Sequence, residues 1–156
     1  IVQMNYMTGE LIKSYGNAPK MIIAMFDMGG SINTVEFHSE YHGHEDSPKE
    51  LLEAIDKLDV DFSPRQIAHV ATLSALANQK LVPKPHLEEI IKYSATLGAL
   101  GVNVAHSGTM VGVLFAPDES MKHVMEAVEK IREKFPELEY FETERLISGG
   151  YDIEQR

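Results

Sequence analysis

The chain has 156 residues, long enough for one domain with a substantial core, and its apolar and charged fractions are those of an ordinary globular protein. It has no cysteine, which excludes a disulfide scaffold, a thiolate metal site and a thiol nucleophile and fits a reducing, cytoplasmic setting. A net charge of −10 with no Lys/Arg stripe argues against nucleic acid as a partner, and no apolar run approaches the ~20 residues of a membrane span.

The first twenty residues read as an edge hairpin: a strand-like opening, a turn at Met7–Glu10, a second short strand at Leu11-Ile12, and a break at Gly16–Pro19. The chain begins at Ile1 rather than Met, so it is expected to be a fragment or a processed product. Met21–Phe26 is a buried-strand pattern that ends in Asp27-Met28-Gly29-Gly30 and Ser31–Thr34 before alternation resumes at Val35–Phe37. A polar residue at the end of a buried strand, followed by a glycine pair, suits a ligand contact and equally suits a plain turn. His38–Asp46 gathers His38, Glu40, His42, His44, Glu45 and Asp46. The spacing, with no cysteine in support, reads as a solvated loop rather than a metal site, and no metal is expected there.

Three helices should follow. Ser47-Pro48-Lys49-Glu50 has the form of a capping box with proline at the first helical position, leading to an apolar face of Leu51, Leu52, Ile55 and Leu58. Ser63-Pro64-Arg65-Gln66 repeats that start, with Ile67, Val70, Ala71, Ser74 and Ala77 expected to face inward. Leu87, Ile90, Ile91, Ser94 and Leu97 form the third face, and His69 and His86 read as surface residues. A hairpin is then expected in Gly101–Ala116, with Val102 and Val104 before the bend, Met110–Ala116 after it, and Gly108 free to take a positive φ. The bend, His106-Ser107-Gly108-Thr109, can turn backbone N–H groups and two hydroxyls into one space, an arrangement that suits an anion and is also common turn chemistry. Asp118 or Ser120 can cap a fourth helix with an inward face of Met121, Val124, Met125, Val128 and Ile131. Alternation resumes over Leu138–Ile147, with Tyr140, Glu142, Glu144 and Leu146 on one face and Phe141, Thr143, Arg145 and Ile147 on the other. The order of elements is α+β: a ferredoxin-like split β-α-β-β-α-β antiparallel sheet with extra helices inserted in the first crossover.

Two segments carry a family resemblance. Ala105-His106-Ser107-Gly108-Thr109, running into Val111-Gly112-Val113-Leu114-Phe115, resembles the third conserved motif of the GHMP small-molecule kinases. Phe26-Asp27-Met28-Gly29-Gly30-Ser31-Ile32-Asn33-Thr34-Val35-Glu36-Phe37 resembles the Asp-x-Gly-Gly-x-x-x-Thr-Val-x-Phe pattern of the L-threonine kinases of cobalamin biosynthesis, to which the Gly101–Thr109 wording is also close.

The resemblance implies that residues 21–156 form the substrate-side, C-terminal domain, with residues 1–20 as an inter-domain segment. The family's Gly-Leu-Gly-Ser-Ser-type phosphate loop is absent, as is the half that carries the catalytic acid and the Mg2+ ligands. No catalytic residue is therefore expected in this chain, and by itself it should be inactive. ATP and Mg2+ are implied for the whole enzyme, with an N-terminal domain and a hydroxy amino acid as partners and a homodimer compatible with the fold. Asp27, Gly29, Gly30, Asn33, Thr34 and Asn103 are implied on the substrate side, Asp27 pairing the ammonium of threonine and Asn33, Thr34 or backbone N–H groups its carboxylate. His106, Ser107, Gly108 and Thr109 would face the nucleotide. His106 stands where Lys or Arg is often seen, so a charged phosphate contact there depends on imidazole protonation. Two other readings stay open: a GHMP kinase for another acceptor such as homoserine, and a non-catalytic α+β module that binds amino acids or dimerises.

Overall fold

The computed structural model describes residues 1–4, 10–30, 47–80, 82–105 and 108–148. Strands β1 (Val2–Met4) and β2 (Leu11–Ser14) pair antiparallel as a separate ribbon. Then follow β3 (Met21–Asp27), α1 (Lys49–Asp56) with a 3-10 turn at Lys57–Asp59, α2 (Pro64–Asn78), α3 (Leu87–Thr96), β4 (Gly101–Val104), β5 (Met110–Phe115), α4 (Met121–Lys134) and β6 (Glu139–Leu146).

The four long-range strands form one antiparallel sheet in the order β4-β5-β3-β6. β3 and β4 run parallel with β5 between them, and β5 and β6 run parallel with β3 between them. Two β-α-β units therefore interlock, which is the expected split arrangement, with α1 and α2 added to the first crossover.

The registers decide which residues share a face. Ile22, Ala24 and Phe26 lie beside Phe115, Val113 and Val111 on β5, and with Val102 and Val104 they bury against Leu87 and Ile90 of α3 and Val124, Ala127, Val128 and Ile131 of α4. Met21, Ile23, Met25 and Asp27 point to the other face. Among the described residues, the cover on that face is at the Met21–Leu114 end, where Ile67, Ala68 and Ala71 of α2 pack on it.

α2 reaches both faces because it runs along the β4 edge. The Thr72 hydroxyl accepts from Val102 N–H at 2.9 Å, which satisfies a donor that an unpaired edge strand would leave bare. A Cβ on Gly101 would stand 2.6 Å from Thr72 Oγ1, so glycine permits this close approach. The expected inward face of α2 is corrected accordingly. Its fully buried residues are Ala68, Ala75 and Asn78, while Ile67, Val70, Ala71, Ser74 and Ala77 are half-buried, because a helix straddling a sheet edge has neighbours on several sides.

Other local expectations also shift. Ser63 and Ser120 cap α2 and α4, accepting from Gln66 N–H at 3.2 Å and His123 N–H at 3.1 Å. Ser47 does not cap α1: the cap position falls on Pro48, with no side-chain bond, and α1 buries Leu51 and Ala54 and leaves Leu52 exposed. In β6 a bulge between the partners of Met25 and Phe26 inserts Phe141, so Tyr140 faces the helices while Glu142 and Glu144 face away. The single alternation expected over Leu138–Ile147 is broken there.

Candidate functional site

β3 ends at Asp27, on the sparsely covered face and at the end remote from α2. The chain then turns through Gly29 and Gly30, with φ of 72° and 83°. A Cβ on either would meet nothing within 4 Å, so these positions need glycine for their left-handed backbone and not for space. Asp27 Oδ1 accepts from Gly29 N–H at 2.9 Å, an Asx-type bond that closes the turn.

β5 begins beside this turn. Asp27 lies opposite Met110, Met28 N–H donates to the Thr109 carbonyl at 3.1 Å, and Ala105 N–H donates to the Met110 carbonyl at 2.9 Å. The β3 end and the bend between β4 and β5 are thereby stitched together. The influence of the Thr109 side chain, followed by the bond from Gly29 N–H, holds the Asp27 carboxyl below its ordinary value against the opposing effect of burial. Asp27 is an ionised, half-exposed carboxylate at neutral pH.

Gly108, expected to use a positive φ, does not. Its requirement is spatial: a Cβ there would approach Ala105 Cβ to 3.0 Å. Asn103 stands opposite Gly112, its amide lying across the glycine where any side chain would collide with it. It shares the face of Asp27 but lies across β5 from it and one pleat further along, so the two do not touch the same small group directly.

The structure thus gathers Asp27, Gly29, Gly30, Gly108 and Thr109 at one end of the sheet and sets Asn103 further along the same face. Asn33, Thr34, His106 and Ser107 lie outside the described residues, as does His38–Asp46. Among the described residues no group of three or more His, Asp or Glu could hold a metal. His69 is exposed and His86 lies half-exposed at the start of α3, 3.5 Å from Glu89. Sequence reasoning missed two features. The Thr109 side chain acts on Asp27, lowering its pKa, and Glu139 of β6 stands beside Asp27 as a second, exposed carboxylate. Both follow from strand register, which the linear pattern does not carry.

Comparison with known proteins agrees with this architecture. The GHMP kinases C terminal family model matches residues 51–134, from α1 to the end of α4. The chain is 24% identical over 147 residues to an L-threonine kinase of Citrobacter freundii, covering 87% of this chain and 49% of that protein. It is 40% identical over 52 residues to an L-threonine kinase of Salmonella typhimurium, covering 33% of this chain and 17% of that one. The fold superposes on Leishmania major (L. major) mevalonate kinase, solved with R-mevalonate, with a TM-score of 0.69 at 14% identity over 96% of this chain and 49% of the other. It also superposes on homoserine kinase from Cytophaga hutchinsonii, with a TM-score of 0.52 at 14% identity over 93% and 46%. The chain spans about half the length, or less, of the relatives it matches. By the family match over more than half its residues and the interlocked antiparallel sheet, the chain belongs to the GHMP kinases, as their C-terminal domain.

Proposed function

We propose that this domain is the acceptor side of an ATP-dependent kinase that phosphorylates the hydroxyl of L-threonine, giving the O-phospho-L-threonine used in cobalamin biosynthesis. One observation carries the choice of acceptor: Asp27, kept ionised by the Thr109 side chain and Gly29 N–H, sits half-exposed beside the start of β5. An ionised carboxylate attracts the ammonium of an amino acid. It would repel a mevalonate-like acceptor, which carries a carboxylate and no ammonium. The L-threonine kinase relatives support the same reading.

In this scheme ATP, with Mg2+, is held mainly by the N-terminal domain and supplies the phosphoryl group. Asp27 pairs the acceptor ammonium, and Asn33, Thr34 or turn N–H groups take its carboxylate. The bend of His106, Ser107, Gly108 and Thr109 lines the nucleotide side of the cleft, and Asn103, across β5 and one pleat further along, lines the same face beyond the acceptor's ammonium. The threonine hydroxyl oxygen forms the new O–P bond as the bond between the γ-phosphorus and the β–γ bridging oxygen breaks. ADP leaves, and the hydroxyl proton passes to a base outside this chain. Such transfer is mostly positioning and charge stabilisation, so a domain that only orients the acceptor contributes directly to rate. The enzyme works in the cytoplasm.

The test is a phosphorylation assay of the whole protein against threonine, homoserine, serine and mevalonate, with Asp27→Ala alongside. Threonine should be the best acceptor, and Asp27→Ala should raise the KM for threonine about tenfold or more. Turnover of mevalonate but not of any amino acid would overturn the reading. An unchanged threonine KM in Asp27→Ala would remove Asp27 from the site. Homoserine carries the same ammonium, so Asp27 does not discriminate against it; the added methyl of threonine gives only ~1–3 kcal/mol of discrimination.

A further inference from the structure

We propose that one face of the β1–β2 ribbon, the face that carries Val2 and Ile12, is a docking surface for the N-terminal half of the same kinase. This rests on the two-domain reading of the enzyme and is independent of which acceptor it phosphorylates.

The ribbon has two strands and stands apart from the main sheet. A lone two-stranded hairpin is at best marginally stable in water, so both of its faces call for cover. The register sorts its side chains. Gln3 lies opposite Lys13 and Val2 opposite Ser14. Gln3, Lys13 and Tyr15 therefore share an inner face, and Val2, Ile12 and Ser14 share an outer one.

This domain itself covers the inner face. Lys13 pairs with Asp59 in the 3-10 turn after α1. Tyr15 stacks on Phe62, with ring centroids 5.8 Å apart and planes 11° from parallel, and its hydroxyl donates to Gln3 Oε1 at 3.2 Å. On the outer face Val2 is 50% exposed and Ile12 58% exposed, and neither belongs to a core cluster of the described residues. The two are diagonal neighbours across the ribbon, so they offer one continuous apolar spot. The clamp on the inner face keeps that spot turned away from the helices.

The connection of the chain identifies the occupant. The chain spans about half the length of the Citrobacter freundii relative and matches the C-terminal part of its family. The N-terminal half of such a kinase would join at Ile1, the residue before β1. Ile1 is pinned to the ribbon: its nitrogen donates to the Gly16 carbonyl, and its carbonyl accepts from Tyr15 N–H at 3.0 Å. A half tethered there meets the outer face at an effective concentration on the order of millimolar, which favours it over a free second copy.

The test uses the whole protein without substrate. Ile12→Lys puts a charge on the outer face, and Ile12→Thr shortens its apolar reach while keeping the branched Cβ. Amide hydrogen exchange across β1 and β2 should speed up about tenfold in Ile12→Lys and less in Ile12→Thr, while the amides of Val111–Phe115 keep their protection. Thermal unfolding should pass from one transition to two in Ile12→Lys as the halves uncouple. Exchange and unfolding left unchanged by Ile12→Lys would overturn the proposal. A molar mass that halves in Ile12→Lys by light scattering would assign the face to a second copy and overturn it as well. A whole protein without an N-terminal half would remove the two-domain reading and the proposal together. Failure to phosphorylate threonine would strike the acceptor assignment alone, since neither readout involves an acceptor.

Discussion

The two faces of the four-stranded sheet draw on alternate residues of the same strands and end up with different tasks. On one face Ile22, Ala24, Phe26, Val111, Val113 and Phe115 are buried under α3 and α4. On the other, Ile23, Met25, Asp27 and Met110 are half-buried and Asn103 is exposed. Among the described residues, α2 covers the end at Met21 and Leu114 and none covers the Asp27 end. The core face fixes the backbone, and the open face carries polar groups whose positions that backbone dictates. Polar residues held by rigid strands in this way need little stabilising contact of their own.

The sharpest way to break this contrast is to mutate adjacent residues of β3. Phe26 is fully buried and packs edge-on against Tyr140 at 5.8 Å. Phe26→Ala should lower unfolding free energy by about 3–5 kcal/mol in chemical denaturation. If the loss is below about 1 kcal/mol, the helix-covered face is not the core.

The next largest effect concerns a flaw in the helix layer. Lys84 is buried, 5% exposed, and its Nζ has no hydrogen-bond partner among the described residues; burial pushes its amine below the ordinary lysine value. The unfolded chain binds the proton more tightly than the folded one. Stability therefore rises with pH from the lowered folded value up to the ordinary one, and below that window the protein carries the full penalty. Lys84→Met should stabilise by about 1–3 kcal/mol at neutral pH and flatten this slope, read from thermal melts between neutral and alkaline pH. A loss of stability in the variant would mean that the amine has a partner.

The smallest effect belongs to the open face. Met25→Ala, one residue from Phe26, should change stability by only about 1 kcal/mol, since half of the side chain already meets water. A loss equal to that of Phe26→Ala would mean that something covers this face in solution.

Much of the fold was legible because local signals agreed with the global one. The Ser63-Pro64 and Ser120 caps, the 3.6-residue faces of α3 and α4, and the β4–β5 hairpin appear where their patterns lie, except that Met121, expected to face inward, is exposed in the first turn of α4 and Ala127 is buried in the inward face. The misreadings have physical causes. Ser47 precedes a proline that itself becomes the cap position of α1. The face of α2 blurs because an edge-straddling helix is never exposed on one clean side. The β6 pattern reverses at Phe141 because one inserted residue flips every side chain beyond it.

Taken by itself, the residue order determined the elements and their split topology, since periodicity and turn chemistry act over a few residues. Only the tertiary structure decided that Asp27 and Asn103 share a face, that Asp27 lies opposite Met110, and that Asn103 stands apart. A period of two says that neighbours point to opposite sides, but the helices choose which side becomes the core. Contacts between strands distant in sequence depend on register, which is settled by the packing of the whole sheet.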